Sequence, residues 1–226
     1  MNYGNDFNKY AINRPGITST MMHDYQNFQS MIPNASMTPY ILEEREMRAS
    51  QLDVFSRLMM DRIIWVAGPV DDRMSTIVQA QLMYLDSVDD KMIKIHIDSP
   101  GGSVKSGLSM VDVMDLIKSD IQTINTGMAA SMGSVLLGAG TKGMRASLRF
   151  SKTMLHQSSG GAGGNIQDAR ITMKEWEKTN EILFDLLGSY CDKDPKVVAE
   201  DASRDLWLDA EEALEYGIID EIVGAE

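Results

Sequence analysis

Cysteine is almost absent from this sequence: Cys191 stands alone among 226 residues. One thiol excludes an internal disulfide and any cysteine-rich zinc site, and it suits a reducing, cytoplasmic setting. No run approaches the ~18 consecutive apolar residues of a membrane-spanning helix, and no basic-then-apolar signal opens the chain. An excess of basic residues is missing too. The 21 Lys+Arg face 33 Asp+Glu, a net charge of −12, which disfavours gripping phosphate backbones and hence nucleic acid. There is no G-K-[ST] phosphate loop and no complete three-glycine dinucleotide fingerprint, so nucleotide binding is not expected. Histidine is scarce, and only His23, His96 and His156 could serve as imidazole bases.

What is present is ordinary globular composition, 43% hydrophobic and 24% charged. The length suits one large domain or two small ones, with core enough to fold without disulfides or metals. Residues 1–34 differ from the rest: they hold six Asn, four Met and five of the fifteen aromatics. Lys9 and Arg14 cancel Asp6 and Asp24, so the whole −12 lies on residues 35–226. Residues 1–36 therefore read as a flexible leader, a propeptide rather than an arginine-rich transit peptide, ahead of a single domain over 37–226.

Within that domain, Ile63–Ala67 is an apolar run closed by Gly68-Pro69, the pattern of a buried strand. Asp71 and Asp72 open a helix with Met74, Ile77, Val78, Leu82 and Leu85 on one stripe. Ile93, Ile95 and Ile97 alternate with polar residues as a strand ending at Ser99-Pro100-Gly101-Gly102. A helix is expected over Val104–Ile117, a strand over Ile121–Thr126, and a helix of small residues through Leu136, Leu137 and Ala139. A short strand over Thr153–His156 and a helix from Asn165 to about Tyr190, with Ile171, Trp176, Ile182, Leu183 and Leu186 as its stripe, follow. Asp194-Pro195 and Asp209 with Glu212 are helix-start signals, and Gly217 closes the last helix. Strands alternating with helices indicate an α/β domain with a largely parallel sheet. The tract from Ser158 to Gly164 is too glycine-rich for regular structure and reads as a hinge or loop.

Ala129-Ala130-Ser131-Met132-Gly133 differs by one methyl group from the G-x-S-x-G elbow, whose small neighbours let the chain turn sharply and expose a serine hydroxyl. The N–H groups opening the next helix could hold an oxyanion. Such a serine needs a base. His23 lies in the leader; His96 could pair locally with Asp98; His156 ends a strand beside the flexible loop and is the better candidate. A lysine base, Lys105, Lys142 or Lys152, stays open at this level. Pro100-Gly101-Gly102 offers unobstructed backbone N–H groups to an oxyanion or an extended peptide.

These motifs together resemble the Clp protease proteolytic subunit (ClpP) family. The likeness is carried by Ser56-Arg57-Leu58 with Asp61–Ile64, Ser99–Gly102, Gly127–Gly133, Met154–Gln157, Arg204–Leu208 and Glu215–Asp220, in order from about Pro39 to Val223. The resemblance implies a crotonase-like fold of stacked sheets and helices, with a handle formed by a long helix and a glycine-rich strand or loop over 160–190. It implies Ser131 as nucleophile, His156 as base and Asp205 as its orienting residue, chosen over Asp192, Asp194, Asp201 and Asp209, which spacing alone leaves open. It also implies an oxyanion hole from the N–H groups of Gly102 and Met132. The implied assembly is two stacked rings of seven, served by a hexameric AAA+ unfoldase of the ClpX, ClpA or ClpC type that spends the ATP, so this chain needs no cofactor or metal. Unfolded polypeptides would be the substrates, and the leader would be trimmed near Asn34–Met37. Three positions depart from the family pattern. Ser158 replaces a usual proline, which implies a looser loop, and Lys94 and His96 stand where aromatic docking residues are common. A crotonase-like acyl-CoA enzyme and a non-catalytic ring subunit are the rival readings.

Overall fold

Gly–Pro and Pro–Gly–Gly breaks cut the chain into strand–turn–helix units, and the fold follows those cuts. The computed structural model describes residues 40–45, 48–160 and 165–224. The expected leader over 1–36, His23 and the glycines at 161, 163 and 164 lie outside them. The chain divides into two units at Val54/Phe55. In the first, β1 (Tyr40–Arg45) and β2 (Arg48–Asp53) form an antiparallel hairpin with Tyr40 opposite Asp53. Helix α1 (Val54–Met60) begins at the division.

The second unit carries the α/β architecture that the sequence pattern implies. Strand β3 (Ile63–Ala67) is followed by α2 (Asp72–Val88), β4 (Ile93–Ser99), α3 (Val104–Leu116) and β5 (Ile121–Ala130). Then come α4 (Met132–Gly138), β6 (Arg145–Leu148), β7 (Lys152–Leu155) and α5 (Ile166–Cys191). The chain closes with α6 (Pro195–Asp201), β8 (Leu206–Leu208), α7 (Ala210–Tyr216) and β9 (Glu221–Val223). Strands run β3-β4-β5-β6-β9, all parallel, with β7 branching from β5 and β8 antiparallel to β7.

Several expectations need adjustment. The 63–67 run is not buried on both faces: Ile64 and Val66 are buried, but Trp65 is 37% exposed. β3 is an edge strand, and on its open face Trp65 stacks on His96 of β4 at 4.9 Å. β5 runs four residues past Thr126 because its second half finds a new partner. Thr123–Asn125 pair with β6, whereas Met128–Ala130 pair with β7. Asn125 stands at the fork, donating from Nδ2 to the Lys152 carbonyl and accepting from Ser151 Oγ through its own carbonyl. Strands β6, β8 and β9 carry no strand signal in the sequence, because each is only three or four residues long.

The helices start where their caps predict. Asp71 accepts from Met74 N–H at 2.7 Å, Asp194 from Lys196 N–H, and Asp209 forms a complete capping box with Glu212. Ile77 falls outside the buried stripe of α2, which consists of Ser75, Val78, Leu82 and Leu85. The stripe of α5 is also displaced. Leu183, Leu187 and Cys191 are buried, while Ile171 is 64% exposed and Ile182 is exposed too. Only the C-terminal part of α5 packs on the core, where Phe184 and Tyr190 join it; in its first half Trp176 lies against Gly160, while Ile166, Ile171 and Met173 are exposed.

Candidate active site

Strand register alone brings three distant residues together. β5 and β7 run parallel with Ala130 opposite Met154, and Ser131 N–H donates to the Met154 carbonyl at 2.8 Å. Ser131 therefore leaves the sheet beside the end of β7. β7 and β8 run antiparallel with Leu155 opposite Leu206, so the next pair outward is His156 and Asp205. His156 Nε2 lies 2.8 Å from Ser131 Oγ, and its Nδ1 lies 3.2 Å from Asp205 Oδ1. With the proton on Nδ1, the imidazole donates to the carboxylate and accepts the serine hydroxyl.

Ser131 sits on a strained turn. Its φ of 54° is in the left-handed region, which for a residue with a Cβ costs about 1–3 kcal/mol. It is the N-cap of α4, yet its hydroxyl caps nothing in that helix. A serine at an N-cap ordinarily spends its hydroxyl on the first turn. Here Ser134 Oγ and N–H both donate to the Ser131 carbonyl, and the Ser131 hydroxyl is left for His156.

The Pro100-Gly101-Gly102 turn lies against this elbow. A Cβ on Gly101, whose φ is +88°, would sit 2.6 Å from the Ala130 carbonyl and 2.9 Å from Met132 N. A Cβ on Gly102, at φ +150°, would sit 2.3 Å from the Val70 carbonyl. Neither position admits a side chain. Val70 holds the turn by donating to Gly101 O and accepting from Ser103 N–H, while the N–H groups of Gly102 and Met132 find no acceptor among the described residues. An apolar recess beside Ser131 is lined by Val104, Met132, Val135, Leu183 and Leu187.

The remaining candidates are placed elsewhere. His96 does not pair with Asp98: its Nδ1 is buried without a partner, and Asp98 accepts from Met128 N–H. Burial, helped by nearby Lys94, lowers the His96 pKa, so this ring is held neutral on its strand face. Lys142 pairs with Asp192. Among the described residues no lysine is hydrogen-bonded to Ser131. Asp194 and Asp209 cap helices, and Asp201 accepts from Tyr216 OH. The lone thiol is no alternative nucleophile, since burial pushes Cys191 up to about 11 despite nearby Arg145 and Lys193. Among the described residues no group of three His, Cys, Asp or Glu could hold a metal ion, and no helix is long and apolar enough to cross a membrane.

Ser158, which stands where the family usually has proline, donates from its N–H to Asn180 Oδ1 at 2.9 Å, a bond proline could not make. Gln157 N–H also donates to the Ala202 carbonyl at 3.0 Å. The segment following His156 is tied on both sides, and no sequence pattern announced Asn180.

Comparison with known proteins gives a single consistent result. Residues 44–226 match the family model described as Clp protease. A curated ATP-dependent Clp protease proteolytic subunit from Bacteroides fragilis (strain YCH46) is 48% identical over 219 residues, covering 96% of this chain and 98% of the relative. The corresponding Porphyromonas gingivalis protein is 46% identical over 220 residues, 97% of each chain. One from Streptococcus pyogenes serotype M1 is 45% identical over 190 residues, 83% of this chain and 97% of the relative.

Proposed function

The chain belongs to the Clp protease family and is a serine endopeptidase subunit, and on that premise we propose that Ser131, His156 and Asp205 are its catalytic residues. The observation that carries this reading is the unbroken hydrogen-bonded line from Asp205 through His156 to the Ser131 hydroxyl on its strained turn. His156 Nε2 takes the hydroxyl proton as Oγ attacks the peptide carbonyl, then gives it to the leaving amine. Asp205 fixes the imidazole tautomer and stabilises the imidazolium. Water, deprotonated by the same nitrogen, releases the acyl group and regenerates Ser131. The free N–H groups of Gly102 and Met132 hold the tetrahedral oxyanion, each contributing about 3 kcal/mol in the transition state.

The relatives are named as ATP-dependent proteolytic subunits. Since no nucleotide loop is present in this sequence, ATP is used by a partner ATPase and not by this chain. That partner is a hexameric AAA+ unfoldase delivering unfolded polypeptide to two stacked rings of seven. The exposed apolar residues Ile166, Ile171 and Met173 in the first half of α5 support its use as a handle between rings. The Trp65–His96 stack presents an aromatic surface for ATPase docking even though β4 carries Lys94 and His96 there. Removal of residues 1–36 and a cytoplasmic location complete the reading. A crotonase-like acyl-CoA enzyme would use the Gly102 and Met132 amides but would leave the Ser131–His156–Asp205 line without a role.

The purified protein is expected to cleave a short fluorogenic peptide unaided, to degrade an unfolded protein only with an AAA+ partner and ATP, and to show seven- and fourteen-subunit species in native mass spectrometry. Assemblies that cleave no peptide would establish a non-catalytic ring subunit instead.

A further inference from the structure

The backbone just beyond His156 is held from two directions. On one side Gln157 donates from N–H to Ala202 O and from Nε2 to Ser203 O at 3.3 Å, joining it to the stretch that carries Asp205. On the other side Ser158 N–H donates to Asn180 Oδ1 at 2.9 Å, a part-buried bond to α5. Two residues on, Gly160 approaches the Trp176 indole so closely that a Cβ there would lie 2.5 Å from the ring. Trp176 and Asn180 are one helical turn apart and so share a face of α5. Just after them α5 enters the core through Leu183 and Leu187, so Asn180 is a fixed acceptor.

Ser158 is two residues from His156, too short a span to absorb a displacement of the loop. The His156–Ser131 bond, by contrast, tolerates little error, because misplacing a reacting group by about 1 Å can cost 10²-fold in rate. We propose that Asn180 is a positioning residue for His156, acting through the Ser158 N–H to hold the imidazole in reach of Ser131. The inference rests on reading His156 as the base.

Ser158, Ser159, Trp176 and Thr179 also border a groove running past Gly102, so peptide turnover alone would confuse positioning with substrate binding. The discriminating readout is the rate at which a small fluorophosphonate labels Ser131, a reaction that needs the base but not the groove. Asn180→Ala and Ser158→Pro should each slow labelling by about fivefold, the worth of one hydrogen bond. The double variant should be no slower than either single one, because both remove the same bond. Ser158→Ala, which keeps the N–H, and Asn180→Asp, which keeps an oxygen acceptor, should stay within about twofold of wild type. Unchanged labelling in Asn180→Ala, with His156→Ala unlabelled, overturns the latch and leaves the base standing. Multiplying effects in the double variant overturn it as well. Undiminished labelling in His156→Ala overturns the base and the latch together.

Discussion

Ser131→Ala will lower peptide hydrolysis by about 10⁴-fold or more, to what the oxyanion hole and binding supply alone. The variant should still fold and assemble. The Ser131 backbone N–H bond to Met154 survives, and alanine meets the positive φ no worse than serine does. The single lost contact is the hydroxyl bond to His156, worth about 1 kcal/mol in stability. Activity and stability thus separate cleanly at this residue, and kcat measured beside a thermal melt checks both. A melt lowered by many degrees would mean that the elbow depends on the hydroxyl for its shape.

The largest stability effect is expected at Arg145. Its side chain is 3% exposed and makes a bidentate pair with Asp220, Nε to Oδ2 at 2.8 Å and Nη2 to Oδ1 at 2.6 Å. Nη1 donates to the Tyr190 carbonyl at 2.7 Å, and Asp220 also accepts from the backbone N–H groups of Gly143 and Arg145. One guanidinium joins β6, the last turn of α5 and the approach to β9. Arg145→Met leaves Asp220 charged and largely buried, which should cost about 3–5 kcal/mol and lower Tm by roughly 8–15 °C at neutral pH. Acid should narrow the gap. Burial pushes the Asp220 carboxyl up, but the Arg145 bonds and the backbone donors outweigh it and hold the pKa below the ordinary value. The stabilisation is therefore complete above about pH 3.9 and is lost as pH falls through the lower folded value, where Asp220 is protonated with or without Arg145. Melts of both proteins from pH 7 downward test this; a constant difference would assign the loss to packing and not to charge.

Local signals were legible because they act within a few residues. Asp71, Asp194 and Asp209 cap helices as their spacing indicated, and the 93–97 alternation became a central strand. The serine elbow was readable from small neighbours, and His156 from the shortage of other histidines. What stayed hidden depends on pairing across long separations. Nothing local shows that β5 changes partner at Asn125, or that β7 and β8 meet and place Asp205, 49 residues on, against His156. The choice of Asp205 could have been narrowed without the family likeness: Asp194 and Asp209 carried cap signatures, and a carboxylate committed to a helix start is poorly placed to orient a base. The first half of α5 misled for a related reason. Its apolar residues follow helical spacing, but spacing does not say whether the chain's own core or another surface covers them.

Treating the protein with a fluorophosphonate and mapping the adduct by peptide mass spectrometry tests the central claim most directly. One adduct, on Ser131, absent from His156→Ala, is the predicted result. An adduct on another residue, or labelling that persists undiminished in His156→Ala, would contradict the account.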